Sequence, residues 1–522
     1  MNIKRALVSV SDKTGITDFG KSLHEMGVEI ISTGGTARAL RDAGVPVKDI
    51  SEITGFPEMM DGRVKTLHPI VHGGLLALRD SEEHMAAAKK HGIGMIDMVV
   101  CNLYPFEAAI AKEGVSLEEV IENIDIGGPS MVRSAAKNHR FVIILTNPAQ
   151  YGDVLGQLRE TGDVPLEARQ KLAIEAYTHT AHYDAIISGY LRERLTGESY
   201  PQTLNLTYEK VQGMRYGENP HQSAAFYKNA MGYGPEAAEP SVTNSRQLHG
   251  KQLSYNNIMD ADCAIEAVKE FAEPTCVNIK HATPCGIASA PTLKQAWLGA
   301  YDCDTYSPFG GVIAFNRELD GETAQELAKL FLELVIAPSF SKGSLDILTQ
   351  KKNLRLLEVP GLEKPAGRKG RMTRYVVGGL LVQDRDTKAI SKESGDWKTA
   401  TEKQPTGEQL KAMEFAVKCV KHVKSNSVVF VQGTKTVGIG GGQTARVDSS
   451  FIACHKGGER IKGSVMASDA FFPFRDAVDI AAEKGVAAIV QPGGSIRDDE
   501  VIAAANEHGI AMVFSGQRCF RH

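Results

Sequence analysis

Metal-binding spacing is what this sequence most plainly lacks. Its eight cysteines, at 101, 263, 276, 285, 303, 419, 454 and 519, include no C-x-x-C pair, and no H-E-x-x-H occurs. That arithmetic argues against structural zinc and a disulfide framework, so the thiols are expected to be reduced and no metal is expected. A run of about 18 apolar residues, the minimum for a spanning helix, is also missing. Charge of one sign is scarce too: 59 Lys plus Arg face 63 Asp plus Glu, a formal charge of −4. Such a balance offers no global field to nucleic acid or an anionic membrane, and any polyanionic ligand must be held by a few basic groups placed locally. The opening stretch has one short apolar run and then turns polar, unlike a secretory signal. A cytoplasmic protein with neither nucleic acid nor membrane as partner is the expectation.

What is present is length and alternation. The chain has 522 residues, and single cores stop growing at roughly 250–300 residues, so two or three domains are expected. The first 200 residues alternate short apolar runs (Ala6 to Val10, Val28 to Ile31, Met98 to Cys101, Phe141 to Leu145) with helical patterns such as Ile16, Phe19, Leu23 and Met26. This pattern predicts an α/β fold with a parallel sheet covered on both faces. Periodicity lapses at Leu195 to Ser199, which places a boundary between residues 1–197 and 198–522. The second region is also α/β, with a polar stretch over 361–407. Within it, a helical pattern from Ile258 to Phe271 precedes the strand Cys276 to Lys280. Leu410, Met413, Val417 and Val420 likewise precede Val428 to Val431. The parallel suggests two similar subdomains.

Two motif matches are rejected on physical grounds. Gly15 to Ser22 fits the phosphate-loop pattern G-x-x-x-x-G-K-[ST] letter for letter. Ile16 and Phe19, however, already belong to a helical apolar face, which leaves Gly20-Lys21-Ser22 inside the helix with their amides used. Gly440 to Ala445 fits G-x-G-x-x-[GA] but comes late and lacks a βαβ unit with a following acidic residue, so it reads as a tight turn near some ligand.

In the first region, polar clusters punctuate the ends of predicted strands or the loops after them: Ser11-Asp12-Lys13, Thr33-Gly34-Gly35-Thr36, Arg63-Val64-Lys65-Thr66 and Asn102-Leu103-Tyr104. Open parallel sheets bind ligands at the carboxyl ends of their strands, so these could share one crevice. T-G-G-T alone is most simply a turn, yet its glycines, hydroxyls and following helix also suit an anion cradle. A fifth cluster, Asp125-Ile126-Gly127-Gly128, precedes Lys137, which taken alone would be a solvated lysine. In the second region Arg215-Tyr216 opens a polar motif, and Lys280-His281 ends an apolar strand. A cation beside an imidazole favours its neutral, basic form. A salt-bridged lysine beside a structural histidine fits the same pair. Asn426, Arg446, Phe471, Asp476, Gly493-Gly494 and Arg518 lie in further motifs downstream.

The motifs V-S-V-S-D-K-T-G, S-T-G-G-T, G-R-V-K-T-L-H-P, C-N-L-Y-P-F, I-D-I-G-G and A-A-K-N-H, in that order, resemble IMP cyclohydrolases, whose fold is that of methylglyoxal synthase. The later motifs resemble AICAR transformylases, built of two cytidine-deaminase-like subdomains, here without the H-x-E and P-C-x-x-C zinc signature. The resemblance covers essentially the whole chain and implies a bifunctional enzyme. Formyl transfer from 10-formyltetrahydrofolate to AICAR would give formyl-AICAR, and dehydrative closure would give IMP.

The resemblance also implies roles. His281 would be the base of transfer, with Lys280 stabilising the oxyanion and Asn426 orienting His281 or the carboxamide. Arg215, Tyr216 and Arg518 would grip the nucleotide. Phe309, Gly310, Glu333, Arg446, Phe471, Asp476, Gly493 and Gly494 would surround the rings. For closure it implies Lys137 as acid/base, supported by Lys65, Tyr104 and Asp125. Ser11, Asp12, Lys13, Thr33 to Thr36, Arg63, Val64, Thr66, Asn102, Leu103, Ile126 and Gly127 would cradle the nucleotide. Relatives form homodimers with transferase sites at the interface, so a homodimer is expected. The alternative reading is a nonenzymatic effector-binding protein on the same scaffolds. A pure binder would need neither Lys280-His281 nor Lys137.

Overall fold

A computed structural model describes residues 3–60, 63–230, 238–364, 370–394 and 396–522. The chain forms two compact units. The first runs to Glu209 and takes in Asn229 and Ala230; the second takes Lys210–Lys228 and the described remainder to His522. The boundary expected at 197 lies just past the long helix Leu166–Leu195.

The first unit is built on five parallel strands in the spatial order Lys48–Asp49, Glu29–Ser32, Arg5–Val8, Met98–Val100, Ile143–Leu145. Met98–Val100 and Ile143–Leu145 are buried throughout, the continuous apolar runs that a sheet covered on both faces demands. The strands are shorter than the apolar runs suggested, because their flanking residues belong to the loops at the sheet edges. Helix Ile16–Glu25 buries Ile16, Phe19 and Leu23, and Gly20 lies inside it, where a Cβ would press on Leu40. The phosphate-loop letters are therefore helix.

The second unit carries one sheet of twelve strands. Two runs of the chain build it in the same order: helix, hairpin, helix, strand, helix, strand, helix, strand. The first opens with helix Tyr255–Val268 and hairpin Thr275–Lys280/Thr283–Ser289. The second opens with helix Gly407–Val420 and hairpin Val428–Gln432/Lys435–Gly440. Both opening helices start with the same device, a capping box: Ser254 with Asn257, Thr406 with Gln409. The halves join where Ala288 pairs with Lys435. On one face the two opening helices share a core, with Phe271 and Phe415 ring centroids 5.1 Å apart; on the other, each half has its own core. Gly440 to Ala445 do lead from a strand into helix Arg446–Gly457, but that strand's neighbours are antiparallel, which is not a dinucleotide-binding unit. Among the described residues no helix is long and apolar enough to cross a membrane.

Candidate active sites

In the first unit all strands are parallel, so the loops after Val8, Ser32 and Val100 emerge at one edge, on both sides of the point where strand order reverses. Asn102 bridges that point: its Oδ1 accepts from the amides of Ser11 (2.7 Å) and Asp12 (2.9 Å), and its Nδ2 donates to the Asp12 carbonyl. The Asp12 carboxylate accepts from the Thr14 side chain and from Thr14 N, which together hold its pKa below the usual range. Helix Gly34–Asp42 begins here with no side-chain cap, and Thr33 Oγ1 is buried without a partner. A Cβ on Gly35 would stand 3.8 Å from Lys13 Nζ, and one on Gly34 3.8 Å from Lys65 Nζ. Two ammonium groups, free helix amides and an unused hydroxyl converge, a local anion site of the kind the neutral global charge requires.

Next to it lie Thr66, 2.6 Å from where a Gly127 Cβ would be, and the Asp125 carboxylate, which accepts from Gly128 N at 2.8 Å. Burial pushes the Asp125 carboxyl up, with Lys65 and backbone amides opposing; burial and then the Asp125 charge push the Tyr104 phenol up. Leu103 is buried and Ile126 exposed.

Three expected residues take other positions. Thr36 exchanges hydrogen bonds with the Val10 backbone (2.9 and 3.1 Å), so its hydroxyl holds the loop and is not offered to a ligand. Arg63 pairs with Glu122 at the surface, next to Val64, which bridges to Met59. Lys137 ends helix Gly127–Lys137, which starts at the crevice and descends towards the amino end of strand Ile143–Leu145. At 1.5 Å per residue its Cα is roughly 15 Å along the helix from Gly127. Within this unit Lys137 is not brought to Lys65, Tyr104 and Asp125.

In the second unit, strand register gathers the named residues along one edge. Lys280 pairs with Thr283, Val312 lies beside Ile279 and Leu334 beside Val312, so His281, Phe309-Gly310 and Glu333 all lie just outside the sheet. Val428 pairs with both Gly440 and Ser468, and Gln491 with Phe514. Asn426, Arg446, Phe471, Asp476, Gly493-Gly494 and Arg518 therefore follow along the same edge. Gln212 and Glu218, flanking Arg215-Tyr216, bond to Leu253 and Asn256 at the start of helix Tyr255–Val268.

Lys280 Nζ donates to the carbonyls of Phe309 (2.8 Å) and Gly310 (3.1 Å). The next two residues form a two-residue hairpin loop with φ of 54° at His281 and 55° at Ala282. Left-handed backbone costs an L-residue roughly 1–2 kcal/mol, so this loop is strained at both positions. Ala282 N donates to Asp260 Oδ1 at 2.6 Å. Phe309 packs against Phe331, centroids 5.2 Å apart, both rings largely exposed.

Asn426 is separated from the His281 loop by strands Thr283–Ser289 and Lys435–Gly440, so it does not orient His281 within this chain. Its Oδ1 accepts from Arg446 (2.8 Å) and its Nδ2 donates to the carbonyls of Gln443 and Thr444. Arg446 also donates to Asp469, a buried carboxylate that further accepts from Ser425 and Ser427 N. The chain end closes over it through Cys519 N to the Asp469 carbonyl, 3.0 Å. Arg518 lies over the Phe520 ring, and Glu333 is paired with the buried Arg355 at 2.5 Å. Asp476, the first residue of helix Asp476–Glu483, accepts from Ala477 N.

Sequence reasoning missed Asp260, Phe331 and Asp469 as parts of this edge. Asp469 lies two residues before Phe471, in the same polar and aromatic stretch; Asp260 and Phe331 gave no local signal. Among the described residues, no cluster of three or more His, Cys, Asp or Glu could hold a metal ion.

Two family models match the chain: one described as AICARFT/IMPCHase bienzyme over residues 135–456, the other as an MGS-like domain over 15–130. The bifunctional purine biosynthesis protein PurH of Acetivibrio thermocellus is 55% identical over 520 residues, covering 100% of both chains. The protein of that name from Ruminiclostridium cellulolyticum is 53% identical with the same coverage. A solved structure, the crystal structure of ForH, is 37% identical over 36% of this chain and 97% of that one, with a TM-score of 0.32.

Proposed function

The chain belongs to the AICARFT/IMPCHase bienzyme family, and we propose how its residues divide that family's two reactions. The protein is a bifunctional enzyme of the last two steps of IMP synthesis, forming formyl-AICAR from AICAR and closing it to IMP. Residues 1–197 carry the closure and 198–522 the transfer. The observation that supports this division is that each unit has its own cluster of basic and polar groups at one sheet edge.

In the transferase, 10-formyltetrahydrofolate is the formyl donor. The AICAR amine is a poor nucleophile because its lone pair is delocalised toward the ring carboxamide. His281 takes its proton as it attacks the formyl carbon, a contribution worth typically 10²–10⁴-fold. Lys280, aimed by two carbonyls, stabilises the oxyanion. Arg215, Tyr216 and Arg518 hold the nucleotide. Phe309, Gly310 and Phe471 flank the rings, with Glu333, Asp476, Gly493 and Gly494 along the same edge. Asn426, oriented by Arg446, meets the carboxamide. A homodimer in the cytoplasm is the working form.

In the cyclohydrolase, the phosphate rests on Gly34, Gly35, Thr33, Lys13 and Lys65. Ser11, Asp12, Val64, Thr66, Asn102, Leu103, Ile126 and Gly127 frame the rest of the nucleotide; Arg63, paired with Glu122 at the surface, holds its assignment on its motif alone. The carboxamide nitrogen attacks the formyl carbon and water leaves. Lys65, Tyr104 and Asp125 move the protons. Lys137 holds its acid/base assignment on its motif alone, and geometry favours Lys65 for that task.

The test is to follow tetrahydrofolate and IMP separately with AICAR and 10-formyltetrahydrofolate. Wild type is expected to make both, His281→Ala neither, and Lys65→Met tetrahydrofolate with formyl-AICAR accumulating. Lys137→Leu is expected to keep closure within about tenfold, against at least about 10²-fold lost in Lys65→Met. The reverse order returns proton transfer to Lys137. A wild type that makes neither product overturns the reading.

A further inference from the structure

The His281–Ala282 loop holds a shape that its own residues disfavour. Lys280 pairs with Thr283, so the hairpin turns in two residues, both with positive φ. Such turns ordinarily use Asn-Gly or Gly-Gly. The second half of the sheet makes the corresponding turn between Gln432 and Lys435, and there a glycine, Gly433, takes the positive φ of 59°. The first half has given up that solution at the one place where an imidazole stands.

Something outside the loop must then hold it. Beyond the long bond from the Thr283 hydroxyl to the His281 carbonyl (3.4 Å), within the hairpin itself, the loop is held by Asp260, whose carboxylate accepts the Ala282 amide at 2.6 Å. Asp260 is itself fixed. Its helix, Tyr255–Val268, is capped at Ser254 and buries Asn257, Ala261, Ala264 and Ile265 around it. The loop is thus gripped from the helix side by Asp260, while Lys280 is tied on the other side to Phe309 and Gly310.

We propose that Asp260 is the positioning residue of formyl transfer: its carboxylate clamps the Ala282 amide, keeps the His281 backbone left-handed and so aims the imidazole at the AICAR amine. As His281 gains the proton, the same carboxylate faces the new positive charge. This rests on the reading of His281 as the transfer base.

The experiment uses the full chain. It measures kcat and KM of formyl transfer for AICAR, the closure of supplied formyl-AICAR, and Tm. Asp260→Ala is expected to lower transfer kcat about 10²-fold, the penalty of a roughly 1 Å misplacement, with KM within about threefold and closure unchanged. Adding Ala282→Gly to it should restore about tenfold of the loss, because glycine takes the positive φ freely. Asp260→Asn keeps an acceptor but not the charge, and about a tenfold drop is expected.

Transfer kcat within about twofold of wild type in Asp260→Ala overturns the inference. So does a loss that Ala282→Gly does not relieve. Should Asp260→Ala fail to fold, an Asp260→Asn enzyme with unchanged kcat overturns it as well. If wild type transfers no formyl group, the assignment of His281 fails; a failure confined to the Asp260 variants removes this inference alone.

Discussion

Asp125 illustrates how a residue can serve a site at the expense of the fold. Burial raises its carboxyl pKa, and the Gly128 and Tyr104 amides and Lys65 only partly oppose this. A group that binds its proton more tightly in the folded state adds stability below the ordinary carboxylate range and loses it as pH rises through the folded value. At neutral pH the buried charge is therefore a net cost. Asp125→Asn keeps an acceptor for Gly128 N and removes the charge. It is expected to raise Tm at pH 7, where each kcal/mol is worth roughly 2–4 °C. That gain should shrink toward pH 4, while closure falls by about 10²-fold or more. Calorimetry at the two pH values together with a closure assay checks both halves. A lower Tm at pH 7 would mean the charge is structural after all.

At the scale of elements, the two halves of the twelve-stranded sheet use glycine in the same way. Gly286 packs so tightly under helix Leu293–Cys303 that a Cβ would overlap the Ala300 carbonyl oxygen, and Gly440 does the same against Ser449 of helix Arg446–Gly457. Backbone cannot rotate aside as a side chain can. Gly286→Ala and Gly440→Ala are each expected to cost at least about 1–3 kcal/mol by overpacking, read as a lower denaturant midpoint. Gly440→Ala should also weaken formyl transfer, because its helix carries Arg446. Wild-type midpoints would show that the helices can ride outward.

The duplication itself was visible in the helix-then-strand patterns at Ile258 and Leu410, because each half repeats locally. Its closure into one sheet through Ala288 and Lys435 was not, since that pairing links residues 147 apart in 435 and 288. Ser11 to Lys13, Thr33 to Thr36 and Asn102 were legible for the same reason as the strands, because each group comes just after an apolar run; Lys65, Thr66 and Asp125 follow none. Asp260 was hidden because its partner, Ala282, lies across a helix and a strand, and a carboxylate in a helical pattern reads as solvated. Lys137 shows the converse, a motif residue at the opposite end of helix Gly127–Lys137 from the crevice.

For the whole molecule, the question is why two reactions share a chain. The two units have separate cores, so folding alone does not require the union. The chemistry does offer a reason. Transfer of a formyl group from a folate to a delocalised amine is near balanced or uphill, and dehydrative closure removes its product. With Lys65→Met, which can transfer but not close, tetrahydrofolate release should stop at a plateau well short of completion. Adding a trace of His281→Ala, which can close but not transfer, should release the plateau and carry AICAR through to IMP. Each variant alone yields little IMP, so the mixture measures the pull of closure directly and does not depend on how the two units are arranged. A plateau that the second variant leaves untouched would show that transfer runs to its own end without help. The joining would then have to be explained by something other than mass action.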